Sequence, residues 1–408
     1  MSNPTGGTAE PGQGVWSELV GQQRAVETLR RAVEGQSHAM SHAWLVTGPP
    51  GSGRSNAARA FAAALQCPRG GCGECTECRT SLSGAHPDVT LVRTEMLSIG
   101  VEEVRDLVRR AAMSPTTGRH QVIVMEDADR VTDRGADALL KAIEEPAPKT
   151  VWILCAPTTD DVVVTIRSRC RKLSLATPSD EAVAELLVWL DGIDATLAAH
   201  SARAAQGHIG RARVLARNED ARNRRHEVLT IPGRLSSVGA CLTAADNLVK
   251  AAADEAGRAT ASVDAQERAE LEQALGFGAK GARPRNAQAA LKELEDQQKA
   301  RGKRLQRDAL DRVLTELTTF YRDVLALQTG AIAPPVAPQL LHTGVERSGP
   351  HLINGEIRTQ LQQVARSSTP EQTLRLIDAI IACREALETN VAPLLAMEAL
   401  LLDLADQH

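Results

Sequence analysis

Five short apolar runs punctuate the first 175 residues: Ala43–Thr47, Val89–Val92, Val122–Met125, Val151–Cys155 and Lys172–Leu175. Segments with helical spacing separate them, and that alternation predicts a parallel sheet with crossover helices. Between the second and third runs, Val101, Val104, Leu107, Val108 and Ala111 recur at helical intervals, and Pro115 and Gly118 close the segment. Between the third and fourth, Ala136, Leu139, Leu140 and Ile143 do the same, ending at Glu144-Glu145-Pro146.

After Pro178 the strand pattern stops. Helices are predicted over Glu181–Leu190 and Ala195–Ala205, then in a long run from about Glu219 onward. Ala253–Arg307 is rich in Ala, Glu, Gln, Lys and Arg and is broken by Gly276-Phe277-Gly278 and Gly281-Ala282-Arg283-Pro284, which suits exposed helices around a mobile break. Its charges read as a solvated face in preference to a DNA-binding arm. Leu310, Val313, Leu314, Leu317, Phe320, Tyr321, Val324 and Leu325 form an apolar stripe, and Ala333–Pro338 reads as a linker before two further helices. The resulting organisation is a flexible N-terminus over residues 1–17, an α/β domain over 18–177, a small helical domain over 178–217, and an all-helical domain over 218–408 with a charged insert at about 253–307.

Composition changes this picture little. The 408 residues carry a formal charge of −4 and a pI near 6.2, so nothing global drives the chain toward nucleic acid. Three Phe and one Tyr leave few stacking platforms for single-stranded bases. No apolar run is long enough to cross a bilayer, and Met1–Gly14 is polar and Gly/Pro-rich, so a cytoplasmic protein without membrane contact is expected.

The candidate chemistry lies in three places. Gly48-Pro49-Pro50-Gly51-Ser52-Gly53-Arg54-Ser55 follows the first strand and opens a helix, the arrangement in which backbone amides and a helix N-terminus cradle a polyphosphate. The lysine expected in such a loop is Arg54, which keeps the charge but not the ammonium geometry. The third strand runs into Glu126 and Asp127, where a metal-holding and a water-orienting carboxylate would sit; the bland alternative is a pair of solvated strand-end acids. Cys67, Cys72, Cys75 and Cys78, spaced C-x4-C-x2-C-x2-C in a Gly-rich stretch, supply the ligand set of a closed tetrahedral zinc site. Two disulfides are the alternative, disfavoured in a reducing compartment. Finally, Arg167, Arg169, Arg171 and Lys172 form a basic cluster before the fifth strand, either an unpartnered surface run or a guanidinium presented to a neighbour's phosphates.

Val20-Gly21-Gln22, Gly48 to Ser55, the four cysteines, His86-Pro87-Asp88, Ala138 to Pro146 and Ser168-Arg169-Cys170 together resemble bacterial clamp-loader subunits of DNA polymerase III, over residues 18 to about 215. The resemblance implies an AAA+ phosphate-loop domain with a zinc knuckle, a small helical lid domain and an all-α collar. The family contains ATP-hydrolysing γ/τ motors and a δ′ stator without effective hydrolysis. Arg54, the order Glu126-Asp127 where motors have Asp then Glu, and His86-Pro87-Asp88 align this chain with the stator. No residue near Ala156-Pro157-Thr158 cleanly matches the family's first sensor. Arg169 would then be an arginine finger acting on an adjacent γ/τ subunit, with Ser168 and Cys170 holding its turn. Gly48, Gly51, Gly53, Arg54, Ser55, Glu126, Asp127 and Arg211 would line a nucleotide site holding ATP or ADP, or neither. The implied partners are γ/τ and δ subunits, and through them the β sliding clamp and primed DNA, with the collar helices around Leu310–Leu325 and Thr373–Leu387 packing between chains. An active motor of the γ/τ kind and a nucleic-acid-binding remodeller are the competing readings.

Overall fold

The computed structural model describes residues 14–36, 38–94, 98–275, 287–332, 351–389 and 391–405. The Gly-rich break at 276–284 and the linker Ala333–Pro338 fall outside these residues, as does most of the expected N-terminal tail. The chain divides into two units, Met1–Asn218 and Glu219–His408.

In the first unit, β1 (Ala43–Thr47), β2 (Val89–Val92), β3 (Gln121–Met125), β4 (Thr150–Ala156) and β5 (Arg171–Ser174) form one parallel sheet in the order β2-β3-β4-β1-β5. Successive residues serve opposite faces. Trp44, Val46, Val122, Val124, Val151, Ile153 and Cys155 point into one buried cluster, and Ala43, Leu45, Ile123, Met125, Trp152, Leu154 and Ala156 into the other. Strands covered on both sides need apolar residues at nearly every position, which is why β1, β3 and β4 stand out in the sequence as apolar runs, whereas the edge strand β5 buries only Leu173.

The crossover helices supply the covers. On the first face lie α1 (Gln23–Val33), the Ala-rich α2 (Arg54–Gln66) and the short α3 (Thr76–Ser83); on the second lie α4 (Val101–Ala111), α5 (Asp133–Glu144) and the single turn α6 (Val164–Arg167). Alanines at 57, 58, 60 and 62–64 let α2 approach the sheet closely, and Phe61 meets Trp44 edge-on at 5.1 Å between centroids. Beyond the sheet, α7 (Asp180–Asp191), α8 (Ala195–Ala205) and α9 (Ile209–Arg217) enclose a small cluster of their own around Val183, Leu187, Ala198 and Ala212.

The loop that feeds β3 is fixed by two buried side chains. Asp88 accepts from the backbone N–H groups of Thr116 (2.7 Å), Thr117 (2.8 Å) and Gly118 (2.6 Å) and from both threonine hydroxyls, while its own N–H donates to Nδ1 of His86. Gln66 accepts from the amides of Arg119 and His120 and donates to the His120 carbonyl at 2.6 Å. Burial alone would raise the Asp88 pKa, but the bonds from Thr116, Gly118 and Thr117 outweigh it and hold the carboxyl well below the usual range. Asp88→Asn is expected to destabilise the first unit by about 2–3 kcal/mol at neutral pH. Because the folded pKa is depressed, this stabilisation is complete above an unfolded value of about 4 and fades as pH falls below it. The difference in denaturation midpoint between wild type and variant should therefore narrow in acid.

The second unit consists of α10 (Glu219–Thr230), α11 (Val238–Ala274), α12 (Ala287–Gln328), α13 (Arg358–Ser367), α14 (Pro370–Glu388) and α15 (Pro393–Ala405). Among the described residues three helices thus follow the expected linker position instead of two, because a Thr369/Gln372 capping box with Pro370 in the first turn separates α13 from α14. The stripe on α12 is spent internally: Leu310, Leu314, Leu317, Phe320, Tyr321 and Val324 are fully buried in this unit's core. That face cannot also pack between chains. On α14, Thr373, Leu376, Ile380, Cys383 and Leu387 are likewise buried, and only Leu374 and Ile381 face outward among its large apolar residues. In the charged insert the signs are matched across two antiparallel helices. Arg301 pairs with Asp264 (3.0 Å) and Glu267 (2.7 Å), and Arg268 with Glu295 (3.3 Å).

Candidate functional site

The phosphate loop connects β1 to α2, and its turn depends on Gly51 and Gly53, at φ of +82° and +90°. At Gly51 the requirement is also steric, since a Cβ would lie 2.2 Å from the His208 ring. His208 is the N-terminal cap of α9, so this contact seats the small helical layer directly on the loop. Among the described residues no side chain caps the N-terminus of α2. Its first-turn amides therefore retain the capacity to receive an anion.

The side chains around the loop are committed to their own chain. The Arg54 guanidinium folds back and donates to the carbonyl of Gly48. Gln22, from the Val20-Gly21-Gln22 stretch, donates to the carbonyls of Ala176 (2.6 Å) and Ser52 (3.3 Å) and accepts from the Ala176 amide. Glu126, at the end of β3, is almost fully buried and receives both Nε (2.7 Å) and Nη2 (2.6 Å) of Arg59 from α2. Asp127 accepts from the backbone N–H of Thr94 at 3.2 Å. Burial and the nearby Arg211 and Arg54 push the His208 pKa down, consistent with a neutral ring whose Nδ1 accepts from the Arg211 amide at 3.2 Å.

The structure thus gathers Gly48, Gly51, Gly53, Arg54 and Ser55 at one edge of the sheet, with Arg211 approaching through His208 and Glu126 and Asp127 at the end of β3. Arg59 and His208 are the participants that sequence reasoning missed. A signal for Arg59 existed: after Arg54 it is the single charged residue in α2.

Ser168-Arg169-Cys170 occupies the turn between α6 and β5. Ser168 Oγ donates to the Thr165 carbonyl at 3.0 Å, and Cys170 is buried in the core, which pushes its thiol up to about 12. The basic neighbours are tethered in different ways. Arg167 is held by Asp160 and the Thr159 carbonyl, and Arg171 lies over the Trp44 ring at 5.1 Å while donating to the carbonyls of His38 and Ala39. Arg169 is half-exposed, with Nη1 on the Thr165 carbonyl (2.8 Å) and Ser168 Oγ (3.2 Å) and Nη2 on Glu144 at 2.5 Å.

The four cysteines converge at the start of α3, each a free thiol, with all Sγ atoms within 4.8 Å of one another. Separations of 3.6 Å (Cys67–Cys72), 3.7 Å (Cys67–Cys75) and 4.0 Å (Cys72–Cys78) rule out disulfide bonds in this structure. They match the edge of about 3.8 Å of a tetrahedron with metal–sulfur distances near 2.3 Å. Backbone amides of Arg69 and Cys72 point at Cys67, that of Gly73 at Cys78, and that of Cys78 at Cys75, at 3.3–3.4 Å. Such donors favour thiolates; bonds from Glu74 and Cys75 bring the Cys72 thiol down to about 6, whereas burial pushes the Cys75 and Cys78 thiols up in the absence of an ion. The cluster could hold a metal ion, and it leaves no open coordination position for chemistry.

Among the described residues no helix is long and apolar enough to cross a membrane. The family model described as "DNA polymerase III, delta subunit" matches residues 21–179. The delta' subunit of DNA polymerase III from Pseudomonas aeruginosa is 34% identical over 184 residues, 44% of this chain and 51% of that protein. That of Bacillus subtilis is 28% identical over 223 residues, 53% of this chain and 66% of the relative. The gamma/tau subunit of Mycobacterium bovis is 33% identical over 159 residues, 38% of this chain and 27% of the relative. The chain thus spans about half the length of the first delta' relative it matches. Over residues 21–179, this chain is therefore similar to the delta' and gamma/tau subunits of DNA polymerase III.

Proposed function

We propose that this chain is the δ′ stator of a DNA polymerase III clamp loader, a cytoplasmic hetero-oligomer with γ/τ and δ subunits that places the β sliding clamp on primed DNA. The observation that carries the reading is the contrast between its two arginine-bearing sites. At its own phosphate loop, Arg54 is turned onto Gly48 and Glu126 is neutralised by Arg59. At the turn before β5, Arg169 is presented at the surface.

Phosphoryl transfer depends on a lysine-like cation at the phosphates, a carboxylate free for the metal and another aligned on the attacking water. Here the cation is a guanidinium engaged elsewhere, the metal-side carboxylate carries an internal counterion, and the water-side acid is one methylene short. Displacements of an ångström are enough to suppress turnover. ATP or ADP could still rest on the amides of α2 without being hydrolysed. Arg169 would instead stabilise charge developing on the phosphates of a γ/τ neighbour. A structural zinc ion on Cys67, Cys72, Cys75 and Cys78 would fix the loop between α2 and α3 and supply no catalysis.

The isolated chain is expected to show no saturable ATP turnover above background, and Glu126→Ala should leave that baseline unchanged. Turnover that saturates with ATP and disappears in Glu126→Ala would identify a γ/τ-like motor instead. Tight, steeply salt-dependent DNA binding by the chain alone would point to a nucleic-acid remodeller.

A further inference from the structure

We infer that Glu144 is a positioning residue for Arg169, a carboxylate that holds the guanidinium where a neighbour's phosphate would later take over; this rests on the finger reading above. Glu144 is the last residue of α5, at the negative end of the helix dipole, where an acid is disfavoured unless a cation meets it. Arg169 Nη2 meets it at 2.5 Å, and both side chains are 40% exposed. The other edge of the guanidinium is anchored independently, through Nη1 to the Thr165 carbonyl and Ser168 Oγ. The turn therefore does not depend on Glu144, and only the Nη2 edge must change partner for the finger to engage.

The exchange is favourable in one direction. An exposed carboxylate pair is weak and screened, whereas a polyphosphate in a closed interface offers the fork several charge-assisted bonds. Glu144 thus competes mildly with the neighbouring ATP. While that site is empty, it keeps the guanidinium extended and satisfied.

In the reconstituted loader, Glu144→Gln in this chain should lower the KM for ATP about two- to five-fold, the span expected for one exposed pair, with kcat moving less than KM. Glu144→Asp, which keeps the charge on a shorter stem, should have a smaller effect. In an Arg169→Ala background the Glu144→Gln effect should vanish, since residues acting through one another are not additive. An unchanged KM in Glu144→Gln, or the same shift with and without Arg169, would overturn the assignment of Glu144 while leaving the finger intact. If Arg169→Ala itself changed neither KM nor kcat, the finger reading would fall, and this inference with it.

Discussion

Arg169→Ala in this chain alone is expected to slow hydrolysis at the one ATP site it faces by about 10³-fold or more, the range measured for arginine fingers. On the proposed reading, sites that do not face this chain would keep their own fingers. A single-turnover experiment on the assembled loader should therefore lose a burst amplitude equal to that site's share, with the remaining phase unchanged. Arg169→Lys should recover little, because an ammonium lacks the planar fork that can bridge two phosphate oxygens. Size-exclusion chromatography must show the same assembly for wild type and variant, which the surface position of Arg169 makes the expected result. Full burst amplitude in Arg169→Ala would remove the residue from the reaction.

Where physics is local, the sequence was readable. The inner strands β1, β3 and β4 are visible because burial on both faces forces apolar runs, while the outer β2 and β5 carry polar residues and show more weakly. The phosphate loop and the cysteine cluster were legible because glycine conformations and soft-ligand spacing leave a pattern within a dozen residues. What could not be read were pairings across long separations. Arg59 meets Glu126 over 67 residues, and Arg169 meets Glu144 through the packing of α6 on α5; nothing in either segment announces its partner. The α12 stripe shows a different limit. An apolar helix face looks the same whether it covers its own core or another chain, and here the helices around it had already claimed it. The insert reads as solvated charge, but two of its arginines have a defined direction: Arg268 and Arg301 face carboxylates on the opposing helix.

Removal of the metal should have its largest effect on stability, with the reacting centre spared. Cys67 and Cys78 are buried in the same cluster as Trp16, Phe61 and Leu65, and the amide of Val15 bonds the carbonyl of Gly71 inside the cysteine loop at 3.0 Å. Without an ion, four sulfur atoms about 4 Å apart must be protonated or repel one another, and the loop loses the cross-link that closes it. Cys75→Ser is the cleanest probe, because Cys75 also caps α3 through the amide of Cys78, and serine preserves that cap while removing one ligand. We expect chelation or Cys75→Ser to cost the first unit about 3–5 kcal/mol. For a unit of this size that lowers Tm by roughly 6–20 °C in calorimetry. Metal analysis should give one zinc per chain in the wild type and less than one in the variant. Once assembled at low temperature, the Cys75→Ser loader should hydrolyse ATP at close to the wild-type rate, since the cysteine loop begins at the C-terminal end of α2, the end away from the phosphate loop. Equal Tm with and without chelator, together with metal-free protein, would count against a structural ion. Unchanged stability with lost turnover would instead place the knuckle in the reaction, a role for which four closed ligands leave no coordination position.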